Sequence, residues 1–162
     1  MRELLLLGKN NGLENRRYLN KKEIMMNSKR LFVTKDDNFT LSVFFTKENN
    51  LKVAKEVPVG DEALWERFDV EFALPDYGIS KGIMRASTEL SGGNQIFNYA
   101  QFNNALLCSM AKKWNLTNEK GEEIPLDLQK LNELRPDITG LFVELLQDKL
   151  RKEGLYDAIV LS

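Results

Sequence analysis

Residues 114–146 read WNLTNEKGEEIPLDLQKLNELRPDITGLFVELL, and the order of signals in this stretch decides the fold of the C-terminal half. Trp114 closes an apolar run spaced in helical steps. Asn118-Glu119-Lys120-Gly121 is turn material. Pro125 then opens a short segment, and Asp127–Leu134 is expected as a helix with Leu128, Leu131 and Leu134 facing inward. Pro136 suits the first turn of a last helix. In that helix Ile138, Leu141, Phe142, Leu145, Leu146 and Leu150 recur at i, i+3 and i+4. Lys149, Arg151 and Lys152 suit the negative end of its dipole, and Gly154 is expected to stop it. The apolar tail Leu155–Ser162 either packs back on the domain or pairs with a partner.

Toward the N-terminus the helical period continues. Ile96, Tyr99, Ala100, Leu106, Leu107, Met110 and Trp114 form one expected stripe, so a helix is predicted to end on the tryptophan. Ser91-Gly92-Gly93-Asn94 reads as a break between helices. A further helix is expected from Ile79 to Leu90, with Ser80 as its N-cap. Before it the period is that of strands. Phe68, Val70, Phe72 and Leu74 alternate with Asp69, Glu71 and Ala73, the pattern of a half-buried strand. Phe39–Thr46 is a second strand, and Leu51–Val57 a weaker third, joined across Lys47–Asn50 as a hairpin. Asp61 is placed to cap a short turn through Trp65. The reading is α+β: a small N-terminal antiparallel sheet of two or three strands, followed by a mainly helical C-terminal half, in one domain over residues 26–162.

Met1–Ile24 reads differently. After Leu4–Leu7 it is polar and without period. Lys22-Glu23 before Met25 and Met26 is encodable as a bacterial ribosome-binding sequence, which makes Met26 a candidate start. The other reading is a flexible arm or a short Leu-rich helix on the body.

Composition restricts the chemistry. The chain has 162 residues, 43% of them hydrophobic, and a formal net charge of −1. This lacks the basic excess that phosphate backbones attract. No apolar run approaches the ~18 residues of a membrane span. Histidine is absent, which removes histidine bases, Ser-His-Asp and Cys-His catalysis, and histidine metal sites. Cys108 is the one cysteine and has no partner for an internal disulfide, which fits a reducing compartment. No cofactor and no enzymatic activity are expected.

Each candidate site has a plainer reading beside it. Asp69, Glu71 and Asp76 are carboxylates for an acid–base or magnesium cluster, with Asp69 and Glu71 roughly 7 Å apart along a strand face. A solvated strand face accounts for them more simply. Ser91–Gln95 before a helix resembles an anion cradle, but lacks the Gly-Lys-Ser/Thr ending of a P-loop. Cys108 sits near the apolar stripe and reads as a small buried hydrophobe. Lys21, Lys22, Lys29, Arg30 and Lys35 lie near Phe32, Phe39, Phe44 and Phe45, a combination that stacks bases in some sheets and guards a strand edge in more.

The helix-Trp, acidic Gly turn, Pro, helix, Pro, helix order of Trp114, Leu116, Gly121, Pro125, Leu128, Leu131, Leu134 and Pro136 resembles the phage tail assembly chaperones. The resemblance covers about residues 68–153 and brings no catalytic residue with it. It implies a non-enzymatic role in the host cytoplasm, binding a tape-measure-type protein while the tail tube forms. The partner-binding candidates are Trp65 and Trp114 as aromatic anchors, the acidic turn with Glu119, Glu122 and Glu123, and Tyr156, Ile159 and Leu161 in the tail. Self-association stays open. The rival readings are a virion structural or connector component and a nucleic-acid-binding accessory protein.

Overall fold

The computed structural model describes residues 33–34, 36–47 and 51–161. The readings made for Met1–Met25, the basic residues Lys21 to Lys35, Phe32 and the hairpin connection at 48–50 fall outside them.

The architecture is α+β. Strand β1 (Asn38–Thr46) pairs antiparallel with β2 (Val53–Ala54) on one side and β3 (Trp65–Ala73) on the other. A single 3₁₀ turn, Glu62–Leu64, precedes β3, with Asp61 at its N-cap position but making no side-chain cap bond. Helix α1 (Tyr77–Ala86) follows, then β4 (Thr88–Ser91), β5 (Asn94–Phe97) and α2 (Tyr99–Met110). The chain returns to the sheet as β6 (Ala111–Trp114), which pairs antiparallel with β3. Helices α3 (Leu128–Glu133), α4 (Pro136–Lys152) and α5 (Tyr156–Val160) complete the described chain. The main sheet has four strands in the order β2-β1-β3-β6, and β4 and β5 form a separate hairpin.

Alternation sorts the sheet into two faces. Val43, Phe68, Val70 and Phe72 are buried on the inner face. Phe142 of α4 meets Phe68 edge-on, with ring centroids 5.3 Å apart, and lies 6.0 Å from Phe72. From the helices, Phe102, Leu106 and Met110 of α2 and Leu146 and Leu150 of α4 join the same core. Leu145, expected beside Phe142, is only half-buried.

Four local expectations are corrected. The cap of α1 is Asp76, whose carboxylate accepts from the Ile79 N–H at 2.8 Å, whereas Ser80 lies inside the helix. Asp76 is therefore a cap and does not join Asp69 and Glu71. The Gly92-Gly93 break joins two strands instead of two helices: φ values of 60° and 85° give the left-handed pair of a tight hairpin turn. Helix α2 begins at Tyr99, where the Asn98 side chain accepts from the Gln101 N–H, and ends at Met110. Trp114 closes a strand, because Ala111–Trp114 satisfies its backbone against β3, with a register shift at Glu71/Phe72 that lets both Ala111 and Trp114 point inward. Finally, Leu128 is 56% exposed, and of the three leucines in its segment only Leu131 is fully buried.

A shallow groove between strand β6 and helix α3

After β6 the chain doubles back on itself. The Ile124 N–H donates to the Leu116 carbonyl and the Asn118 N–H to the Glu122 carbonyl, each at 2.9 Å. Gly121 at φ 77° supplies the left-handed residue this reversal requires. The Asn118 side chain ties the turn internally, accepting from the Lys120 and Glu122 N–H groups and donating to the Glu122 carboxylate. The Trp114 indole N–H donates to the Ile124 carbonyl at 2.5 Å and pins the returning arm over the sheet end. Pro125 and Leu126 then lead into α3, where the Asp127 carboxylate accepts from the Lys130 N–H at 2.8 Å as an N-cap.

These elements enclose an open groove of about 540 Å³ lined by Trp114, Leu116, Asn118, Glu123, Ile124, Pro125, Lys130, Glu133 and Leu134. Its floor is apolar. Glu123 and Glu133 stand at its rim, with Glu119 and Glu122 exposed in the turn beyond. Lys113 lies 3.4 Å from Glu123, and Lys130 is 3.8 Å from Asp127, so the rim is partly paired. Both pairs are exposed, and such pairs hold little energy.

The candidate residues named from sequence are dispersed. Trp114 and Glu123 line the groove, and Glu119 and Glu122 sit in its adjoining turn. Trp65 is half-buried at the start of β3 on the outer face of the sheet, opposite Thr46. Tyr156 lies against Phe102 at 6.0 Å, with the Arg151 guanidinium 4.5 Å from its ring centroid. Ile159 is 1% exposed and belongs to the core, because α5 folds back on α1 and α4; this overturns its reading as a surface contact. Leu161 is 85% exposed. Leu116, Asn118, Ile124, Pro125, Lys130, Glu133 and Leu134 complete the groove, none of them picked out as binding residues from sequence.

The other polar groups are engaged in structure. On the outer sheet face the Asp69 carboxylate accepts from the Ser42 hydroxyl and the Arg67 Nε, both at 2.6 Å, and Glu71 lies opposite Lys113. Gln147, 6% exposed, donates to Asn103 at 2.7 Å and to the Tyr99 hydroxyl at 3.1 Å, a buried amide tying α4 to α2. Cys108 is half-buried, and burial pushes its thiol pKa up, away from the thiolate a nucleophile needs. No group of three or more metal-ligating side chains is gathered among the described residues, and none of the helices there is long and apolar enough to cross a membrane.

No family model, curated protein or solved structure matches this chain.

Proposed function

We propose that this protein works by binding a helical segment of another protein, as a tail assembly chaperone that holds a tape-measure-type partner during tube formation. The observation that carries the reading is the groove between β6 and α3: an apolar floor of Trp114, Leu116, Ile124, Pro125 and Leu134 with carboxylates at its rim. An amphipathic helix laid into such a groove buries its apolar stripe and sets flanking lysines or arginines against Glu123 and Glu133. Trp114, Leu116, Pro125 and Leu134 of the groove also belong to the segment that resembles the chaperones. Trp114 ends a strand in this chain, so that resemblance rests on the Gly121 turn, Pro125, the leucines of α3, Pro136 and α4.

A shallow, open groove gives moderate and reversible affinity, which is what a protein displaced by the growing tube requires. The test is co-expression with a tape-measure-type protein from the same genome. The expected result is that the partner becomes more soluble, co-purifies with this chain, and is found without it in finished virions. Stoichiometric recovery of this chain from mature particles overturns the chaperone role in favour of a structural component.

A further inference from the structure

The β4–β5 hairpin stands apart from the main sheet, and its pairing is Thr88↔Phe97, Glu89↔Ile96, Leu90↔Gln95 and Ser91↔Asn94. In an antiparallel ladder, pairs that exchange hydrogen bonds alternate with pairs that do not, and a two-residue loop is closed by a bonded pair. The Asn98 N–H donates to the Ser87 carbonyl at 2.8 Å, which continues the bonded parity of Ser91↔Asn94 and Glu89↔Ile96. The peptide groups of Gln95 and Phe97 therefore point away from β4, to the outer edge of β5. Among the described residues no hydrogen bond reaches them.

This edge is unguarded. Natural edge strands are usually blunted by charge, proline or a bulge. Residues 94–97, Asn-Gln-Ile-Phe, carry none of these. Ile96 is 50% exposed, Phe97 45%, and Leu90 on the neighbouring strand 78%.

We propose that the β5 edge is an interface between two copies of this chain. A two-fold axis through Ile96, normal to the ribbon, sets Gln95 of each copy opposite Phe97 of the other. Their outward N–H and C=O groups then bond to one another. Ile96 faces Ile96 of the second copy in the non-bonded position, where cross-strand side chains approach most closely. The result is one continuous antiparallel sheet in the order β4-β5-β5-β4. Charge selects the edge, and the two-fold register centred on Ile96 makes that edge complementary to its own copy. The same symmetry applied to β4, whose outward peptide groups belong to Thr88 and Leu90, sets Glu89 against Glu89 of the second copy. The uncharged β5 edge meets its own copy with no like-charge contact. Because the edge is short, the dimer is weak and reversible.

The test is sedimentation equilibrium of the full chain from micromolar to millimolar concentration, beside an Ile96→Lys variant. Ile96 is half-exposed, so lysine is accommodated in the monomer, and an unchanged far-ultraviolet circular dichroism spectrum checks this. In a dimer the two lysines oppose each other across the axis. The expected result is a concentration-dependent dimer for the natural chain and a monomer for Ile96→Lys. A Cys108→Ser, Ile96→Cys double variant should form an intermolecular disulfide on mild oxidation. A natural chain that stays monomeric throughout, or an Ile96→Lys variant that dimerises as the natural chain does, overturns the proposal.

Discussion

The Trp114 indole N–H donates to the Ile124 carbonyl at 2.5 Å, joining the last residue of the main sheet to the arm that returns from the acidic turn. This one bond makes the floor of the groove continuous with the core, since Trp114 also lies 6.2 Å from Phe68 by ring centroids. Trp114→Phe keeps most of the apolar volume and removes the donor. A part-buried carbonyl left without its partner costs about 1–3 kcal/mol. Urea unfolding should show a loss of that size. A change under about 0.5 kcal/mol, the usual effect of a neutral surface change, would mean the arm is held by its backbone bonds alone.

Phe142 joins helix α4 to the sheet, 1% exposed and in ring contact with Phe68 and Phe72. Phe142→Ala should destabilise by about 3–5 kcal/mol, as for other buried aromatics. Leu145→Ala, one turn along but half-buried, should fall at or below the lower end of the roughly 2–5 kcal/mol seen for buried leucines. Equal losses at the two positions would contradict the difference in burial between them.

Gly93 has φ 85° in the hairpin turn, and Gly92 φ 60°. A side chain at Gly93 meets no neighbour, so the penalty of Gly93→Ala is conformational, about 1–2 kcal/mol for a left-handed residue. It should appear as faster amide exchange within Thr88–Phe97, with little change in the exchange of β3. Gly92→Asn should be nearly silent, because asparagine tolerates this conformation in such turns.

The contrast between these elements shows what local pattern can reveal. Helix α4 was legible because six apolar residues keep a 3.6 period over Pro136–Lys152, and β3 because Phe68, Val70 and Phe72 alternate with polar residues. The segment after α2 was not. Met110 and Trp114 stand four apart, which suits a helix, yet a strand with a register shift buries Ala111 and Trp114 equally well. Only the distant partner β3 decides between them. The hairpin was missed for another reason: Thr88–Ser91 and Asn94–Phe97 are too short to show alternation, and Gly92-Gly93 punctuates helices as readily as it turns strands. Of the groove, Trp114 and Glu123 were legible as candidates. Leu116, Ile124 and Leu134 were not, since apolar residues with helical or turn spacing read first as core.

Asp137, in the first turn of α4, accepts from the Arg135 guanidinium at 2.8 Å and from the Ile138 N–H at 3.1 Å. The Arg135 hydrogen bond, then its charge and the backbone N–H groups, hold the carboxyl below its ordinary pKa. A depressed folded-state pKa gives stability that is fully present above the unfolded value and is lost as pH falls through the folded value. Carboxyl-carbon NMR titration should therefore place Asp137 below the ordinary aspartate value. In Asp137→Asn the acid limb of the stability curve should flatten. An ordinary titration midpoint for Asp137 would show that Arg135 does not hold it in solution.

The groove reading makes a prediction that separates electrostatics from folding. Glu123 and Glu133 are exposed rim residues, and the one pair they form with a base among the described residues, Lys113–Glu123, is a surface pair worth at most about 1 kcal/mol. Glu123→Lys with Glu133→Lys should leave the melting temperature within a few degrees. The same change turns the rim from negative to positive while keeping the apolar floor intact. If a lysine- or arginine-flanked helix occupies the groove, association slows, and affinity for that helix falls by about tenfold or more, equivalent to ~1.4 kcal/mol. The loss should shrink as salt is raised, because screening removes the repulsion along with the original attraction. Binding measured by titration calorimetry at two ionic strengths reads both effects. An affinity unchanged by the double reversal would place the docking surface elsewhere on the molecule, whatever the partner proves to be.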